Sequence, residues 1–153
     1  PNYINFHYSI SIKFLRYLIL LFMAKNFVFK LKIYYEDTDS GGVVYYANYL
    51  KFLERARSEL IYSFGLSNKK LLNEYDTLII VKSCNIEYKK SAKLEDELEV
   101  HSSIESFTKT SFTMDQIVKR NNEIIAIAKV ILVTINSQGK PIKIPKILED
   151  SIK

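Results

Sequence analysis

The sequence predicts an α+β domain in which one long helix is wrapped by a mostly antiparallel sheet of about five strands. Three observations predict it. Strand-like segments with apolar residues at period two, or in short apolar runs, recur through the chain. A helical period dominates only one long segment, which begins at Asn48. Four strand-like segments then follow one another, and consecutive strands are usually neighbours.

The elements justify themselves in order. From Phe27 to Tyr35, Phe27, Phe29, Leu31 and Ile33 alternate with Val28, Lys30, Lys32 and Tyr34, the pattern of a half-buried strand. From Asn48 the spacing changes: Tyr49, Phe52, Leu53, Ala56, Leu60 and Phe64 recur at threes and fours, with Lys51, Glu54, Arg55, Ser58 and Glu59 between them. Gly65 stands where a C-terminal cap is expected. Leu78 to Tyr88, Glu97 to Ser106, Ser111 to Arg120 and Glu123 to Ile135 complete the sheet, with a tight hairpin at Arg120-Asn121-Asn122-Glu123 and a doubly buried stretch at Ile131-Leu132-Val133.

At 153 residues the chain suits one domain that needs neither disulfide nor metal to hold a core. Cys84 is the single cysteine, so no internal disulfide forms and a reducing, cytoplasmic compartment is the natural reading. Its apolar surroundings in sequence predict a buried, inert thiol. Residues 1–22 differ from the rest: Lys13 and Arg16 stand there without acids, and the apolar run from Tyr17 to Ala24 is far shorter than the ~20 residues that span a bilayer. They are expected to be an extension outside the fold, with the domain running from 23 to 153. No stable membrane span is expected, and a peripheral location at the inner membrane fits the basic, apolar extension.

The most informative stretch is Tyr34-Tyr35-Glu36-Asp37-Thr38-Asp39-Ser40-Gly41-Gly42-Val43-Val44-Tyr45-Tyr46-Ala47-Asn48-Tyr49. It sets a carboxylate beside a glycine-broken turn just ahead of the long helix. A helix start carries N–H groups without intrahelical partners and the positive end of the helix dipole, so a developing oxyanion can be held there. Gly41 and Gly42 allow the turn to take positive φ and a substrate to approach the backbone.

Tyr35, Asp37, Thr38, Asp39, Gly42, Val44, Tyr45, Asn48 and Tyr49, followed by Glu54-Arg55-Ala56-Arg57, resemble the signature of the 4-hydroxybenzoyl-CoA thioesterase-like branch of the hotdog fold, and are most similar to its Tol-Pal-associated YbgC group. Weaker similarity continues through Glu87-Tyr88, Ala92-Lys93-Leu94 and Pro145-Lys146. The resemblance implies hydrolysis of an acyl-CoA thioester without metal or cofactor. Asp39 would be nucleophile or general base, and the N–H of Tyr46 would polarise the thioester carbonyl. Gly42, Val44, Tyr45 and Asn48 would shape the substrate site. One departure stands out: the YbgC group usually carries His where this chain has Tyr46, whereas the 4-hydroxybenzoyl-CoA enzymes have Tyr.

Other residues are weighed around that reading. Asp37 and Thr38 are expected to cap the turn. Glu54 is the second candidate acid and a substrate contact, with a helix-face ion pair to Arg55, Arg57 or Lys51 as its structural role. The net charge of +5 suits an anionic ligand, and Lys89, Lys90, Lys140, Lys143 and Lys146 are candidates for the coenzyme A phosphates. No Arg-rich helix or RNP-type aromatic motif points to nucleic acid.

Asp37-x-Asp39-x-Gly41-Gly42 imitates the opening of a calcium loop, but Asn48 occupies the position that needs Glu. One Cys and two separated His make no zinc set, and His101 reads as a solvated residue on a strand's polar face. A dehydratase would pair a His with a carboxylate in the turn, and none is there. The alternative function is a non-catalytic module that binds acyl-CoA or acyl carrier protein in envelope or phospholipid metabolism. The resemblance also implies a homodimer or homotetramer with the site between subunits.

Overall fold

The computed structural model describes residues 27–152; the boundary expected at Met23 lies outside the described residues. Strand β1 (Phe27–Lys32) leads through a 3-10 turn (Tyr35–Asp37) to helix α1 (Asn48–Ser63), a short helix α2 (Asn68–Tyr75), strands β2 (Leu78–Tyr88), β3 (Glu97–Phe107), β4 (Ser111–Arg120) and β5 (Glu123–Ile135), and a last helix α3 (Lys146–Ile152). The five strands form one antiparallel sheet in the order β1-β3-β4-β5-β2. It wraps α1, which is the hotdog arrangement.

Helical spacing gives α1 one apolar face, and burial follows it: Tyr49, Phe52, Leu53, Ala56, Leu60 and Ile61 are all buried. Opposite them the sheet contributes Leu98, Val100, Met114, Val118, Ile125 and Val130 to the same core. Gly65 takes φ +73° and turns the chain out of α1, as its position predicts. The β4–β5 hairpin turns at Asn121, φ +55°, one of the few residue types that tolerate the left-handed region.

Several expectations change. Strand β1 stops at Lys32, because the Asp37 side chain accepts the Tyr34 N–H at 2.9 Å and draws the following residues into the 3-10 turn. Two short helices were not predicted. Ser67 caps α2 by accepting the Lys70 N–H at 3.0 Å, and Asp76 ends it with φ 44°. Pro145, expected in a tail, starts α3, which buries Leu148 and Ile152.

Strand β2 is not beside β3. It pairs with β5, and residues 89–96 carry the chain across the sheet to β3, which lies beside the opposite edge strand β1. Only one face of the sheet is covered by α1, so Leu132 is buried while Ile131 and Val133 are half-buried, not a doubly buried stretch.

Cys84 is exposed rather than buried, since β2 is an edge strand. Local burial of the sulfur still pushes its thiol pKa up, opposed by the positive charge of Arg57. The neighbouring Ile80, Val81 and Tyr88 are exposed as well.

Candidate active site

Between β1 and α1 the chain makes a loop held by several backbone and side-chain hydrogen bonds. The Asp37 carbonyl accepts the Tyr45 N–H at 2.9 Å and the Asn48 side-chain amide at 3.0 Å. Both Asp37 and Asn48 are buried, so this pair clamps the loop to the helix start. The Val44 N–H reaches the Ala92 carbonyl at 2.8 Å, and single bridges join Thr38 to Val44 and Val43 to Lys93. The loop is thereby held from both sides.

At its tip, Asp39 organises a tight turn. Its N–H donates to Val43 at 3.0 Å, its carbonyl accepts the Gly42 N–H at 3.0 Å, and its Oδ1 accepts the Gly41 N–H at 2.8 Å. Gly42 adopts φ +72°, which a side chain would disfavour. A Cβ at Gly41 would lie 3.0 Å from the Asp39 Oδ1, so the small residue also leaves room for the carboxylate. The carboxylate is exposed to water.

The N–H groups of Tyr46 and Ala47 have no partner among the described residues, whereas those of Val44, Tyr45 and Asn48 all donate. This follows from helix geometry: Tyr46 lies ahead of the first turn, where N–H groups have no carbonyl to meet. Its carbonyl, by contrast, accepts the Tyr88 hydroxyl at 3.0 Å. Aromatic contacts surround it, with the rings of Tyr45 and Tyr46 4.7 Å apart, Tyr46 and Tyr88 6.3 Å, and Tyr49 and Tyr88 5.4 Å. The neighbouring Tyr46 phenol, then burial and the charge of Asp39, raise the Tyr45 pKa above its ordinary value.

The structure therefore gathers Asp39, Gly42, Val44, Tyr45, Tyr46 and Asn48 into one turn, but with different tasks. Val44 is buried in the core and Asn48 is spent on Asp37, so both position the turn instead of facing solvent. Tyr45 and Tyr46 are 42% and 61% exposed, enough to meet a ligand.

Glu54 lies two helical turns further on and makes no ion pair among the described residues; it accepts the Ser58 hydroxyl at 2.7 Å. Lys90 is bound to Glu123, and Lys89 to Glu87. Lys143 is exposed, remote in sequence, after the Ile135–Pro141 bridge. His101 is not simply solvated but pairs with Glu99 at 3.0 Å, and this contact, after that of Lys30, holds the Glu99 pKa below the carboxylate range.

Tyr88 and Ala92 were not anticipated at the site. The Tyr49 hydroxyl accepts the Ala92 N–H at 3.3 Å, which joins α1 to the segment that also holds Val44. Only the Glu87-Tyr88 and Ala92-Lys93-Leu94 blocks hinted at them.

Replacing Tyr88 by Phe keeps the ring contacts and removes one exposed hydrogen bond, so stability is expected to change by no more than about 1 kcal/mol. Amide hydrogen exchange at Tyr45 and Asn48, whose hydrogen-bonded N–H groups flank Tyr46, is expected to accelerate. Unchanged exchange would mean that the hydroxyl does not hold the turn.

The family model described as the thioesterase-like superfamily matches residues 34–152. The chain is 36% identical to the acyl-CoA thioesterase YbgC of Haemophilus influenzae over 125 residues, covering 81% of this chain and 92% of that protein. It is 38% identical to the acyl-CoA thioester hydrolase YbgC of Escherichia coli over 122 residues, 78% of this chain and 90% of that one. A crystal structure of a probable thioesterase from Bartonella henselae superposes with a TM-score of 0.76 at 31% identity, over 78% of this chain and 99% of that chain.

Proposed function

The chain belongs to the thioesterase-like superfamily, and from that premise we propose that it hydrolyses acyl-CoA thioesters to free acid and coenzyme A. The observation that carries this reading is the unpartnered Tyr46 N–H at the start of α1, in the same turn as the water-exposed carboxylate of Asp39. The acyl carbonyl oxygen would accept the Tyr46 N–H. Water would add to the carbonyl carbon as Asp39 takes its proton, and the tetrahedral intermediate would collapse with loss of the coenzyme A thiolate, which recovers that proton. In the nucleophilic route the Asp39 oxygen adds first and expels the coenzyme A thiolate, and water then cleaves the resulting anhydride.

An N–H preorganised at the developing oxyanion typically contributes roughly 3 to 4 kcal/mol in the transition state. Tyr46 sits where the helix dipole adds to it. Neither step calls on a metal or cofactor.

The coenzyme A phosphates need cations that are not already spent. Lys89 and Lys90 are paired with acids, so Lys140 and Lys143 are the better candidates. The open edge of β2, eleven residues long with Ile80, Val81 and Tyr88 exposed, supports self-association into a homodimer or homotetramer. No described helix is long and apolar enough to cross a membrane, and the lone cysteine suits a cytoplasmic setting.

Release of free thiol from a panel of short, aromatic and long-chain acyl-CoAs tests the proposal. Thiol release from none of them, with acyl-CoA or acyl carrier protein still bound, would replace it with the binding-module reading. Tyr46→His is expected to shift acyl preference while hydrolysis persists, because the proposed donor is a backbone N–H that every residue but proline carries. Complete loss of turnover in a folded Tyr46→His protein would move the chemistry onto the phenol.

A further inference from the structure

The crossover between β2 and β3, residues 89–96, has no helix or strand of its own, yet the Asp39 turn is built against it. The Ala92 carbonyl accepts the Val44 N–H at 2.8 Å, and Lys93 bridges Val43, whose carbonyl accepts the Asp39 N–H at 3.0 Å. Val43 and Val44 directly precede Tyr45 and Tyr46. The position of Ala92 and Lys93 therefore sets where the Asp39 carboxylate and the Tyr46 N–H stand relative to one another.

Backbone bonds anchor only the ends of this segment. The Lys89 and Lys90 N–H groups donate to the Ile125 carbonyl at 2.8 and 3.1 Å, and at the far end Glu95 and Asp96 exchange bonds with Ile33 at 3.0 and 2.9 Å. The middle is held by side chains. The Ala92 N–H meets the Tyr49 hydroxyl, and the Lys93 N–H donates to the Asp96 Oδ2 at 2.8 Å.

One side chain reaches this middle from the sheet. Arg120, at the end of β4, donates from Nη1 to the same Asp96 Oδ2 at 2.6 Å and makes a longer contact with the Ser91 carbonyl at 3.4 Å. Ser91 and Asp96 flank the Ala92–Lys93 pair, so a single guanidinium grips the segment on both sides of it. Its Nη2 engages Glu123 across the β4–β5 hairpin, and Glu123 also holds Lys90. Lys90, then Arg120, keep the Glu123 carboxyl below the usual carboxylate range.

An ion pair in open water is weak and loose, but the side chains of Arg120, Asp96 and Glu123 are only 28%, 22% and 32% exposed. Partly shielded pairs are screened less by salt, and the planar fork of arginine fixes its two acids at a set angle where an ammonium would not.

We propose that Arg120 is a positioning residue for the Asp39 turn: through Asp96 and the Lys93 N–H its guanidinium fixes the Ala92–Lys93 strip, and so the geometry between the Asp39 carboxylate and the Tyr46 N–H. Arg120 hydrogen-bonds to neither group. Its consequence for turnover rests on the reading of those two groups as the hydrolytic pair.

Arg120→Gln is expected to lower kcat by ~10-fold or more with KM within ~2-fold of the parent protein, since a misplacement of about 1 Å imposed from a distance costs up to ~10²-fold. Amide hydrogen exchange at Val44 and Asp39 should accelerate, while that at Val100 and Val130 in the sheet stays as in the parent. Lys129→Gln is the control: Lys129 pairs with Glu105 and Asp115, neither of them in the 89–96 segment, and its loss should leave kcat and exchange at Val44 unchanged. Adding Asp96→Asn to Arg120→Gln should cost no more than ~2-fold beyond Arg120→Gln alone, because the two side chains act as a unit.

Should Arg120→Gln fail to fold, Asp96→Asn alone decides the matter. It keeps an oxygen for the Lys93 N–H but removes the charge that Arg120 grips, and is expected to lower kcat at least ~3-fold with KM held and exchange at Val44 faster. An unchanged kcat, an equal loss in Lys129→Gln, exchange that accelerates throughout the sheet, or additive losses in the double variant would each overturn the proposal. If the parent protein releases thiol from no acyl-CoA, the hydrolytic reading fails by itself, and exchange at Val44 and Asp39 in Arg120→Gln still decides whether Arg120 positions the turn.

Discussion

Asp39→Asn is expected to lower kcat at least ~10²-fold, the scale of general-base catalysis, with KM altered much less and the melting temperature nearly unchanged. The separation follows from what each oxygen does. The Asp39 Oδ1 accepts the Gly41 N–H, and the amide oxygen of Asn can accept the same bond, so the turn keeps its shape. What disappears is the negative charge that takes a proton from water or attacks the carbonyl. Steady-state kinetics on the best substrate of the acyl-CoA panel, with thermal melting of the same variant, distinguish the outcomes. Large destabilisation with turnover preserved in the folded fraction would leave Asp39 as a turn residue only.

Phe52→Ala carries the largest expected effect on stability. Phe52 is fully buried on the inner face of α1, and its ring meets that of Tyr49 edge-on at 5.8 Å. Truncating a buried phenylalanine removes its transfer free energy and leaves a cavity, together costing about 3 to 5 kcal/mol. For a domain of this size the melting temperature should fall by on the order of 10 °C or more.

The loss also reaches the site. Tyr49 is braced by Phe52 on one side, and its hydroxyl accepts the N–H of Ala92, whose carbonyl holds Val44. Faster hydrogen exchange at Val44 and Tyr45 should therefore accompany the drop in melting temperature. A melting temperature within ~2 °C of the parent protein would show that the core under α1 repacks without cost.

Local pattern determined much of this protein. The threes and fours from Tyr49 to Leu60 specify α1, because only a helix brings that spacing onto one face. Strands β2, β4 and β5 begin and end where alternation and turn residues say they should. The turn around Asp39 was legible too, since glycine at a positive-φ position, an Asx bond and a following helix start are relations among near neighbours in the chain.

Contacts between distant residues were decided only by the tertiary structure. No short-range pattern says that β2 crosses to the far edge beside β5, and that single fact exposes Cys84 and leaves an open strand. The helices α2 and α3 were missed because each is about two turns long, too short for periodicity to stand out against a single cap or proline. Tyr88 reaches Tyr46 from 42 residues away, and Gln116 reaches Arg57 from 59, so the residues that hold the turn and the guanidinium in place are fixed by how the sheet curls around α1. Side-chain chemistry close to the chain is written in the order of residues; which distant partner satisfies it is written in the packing.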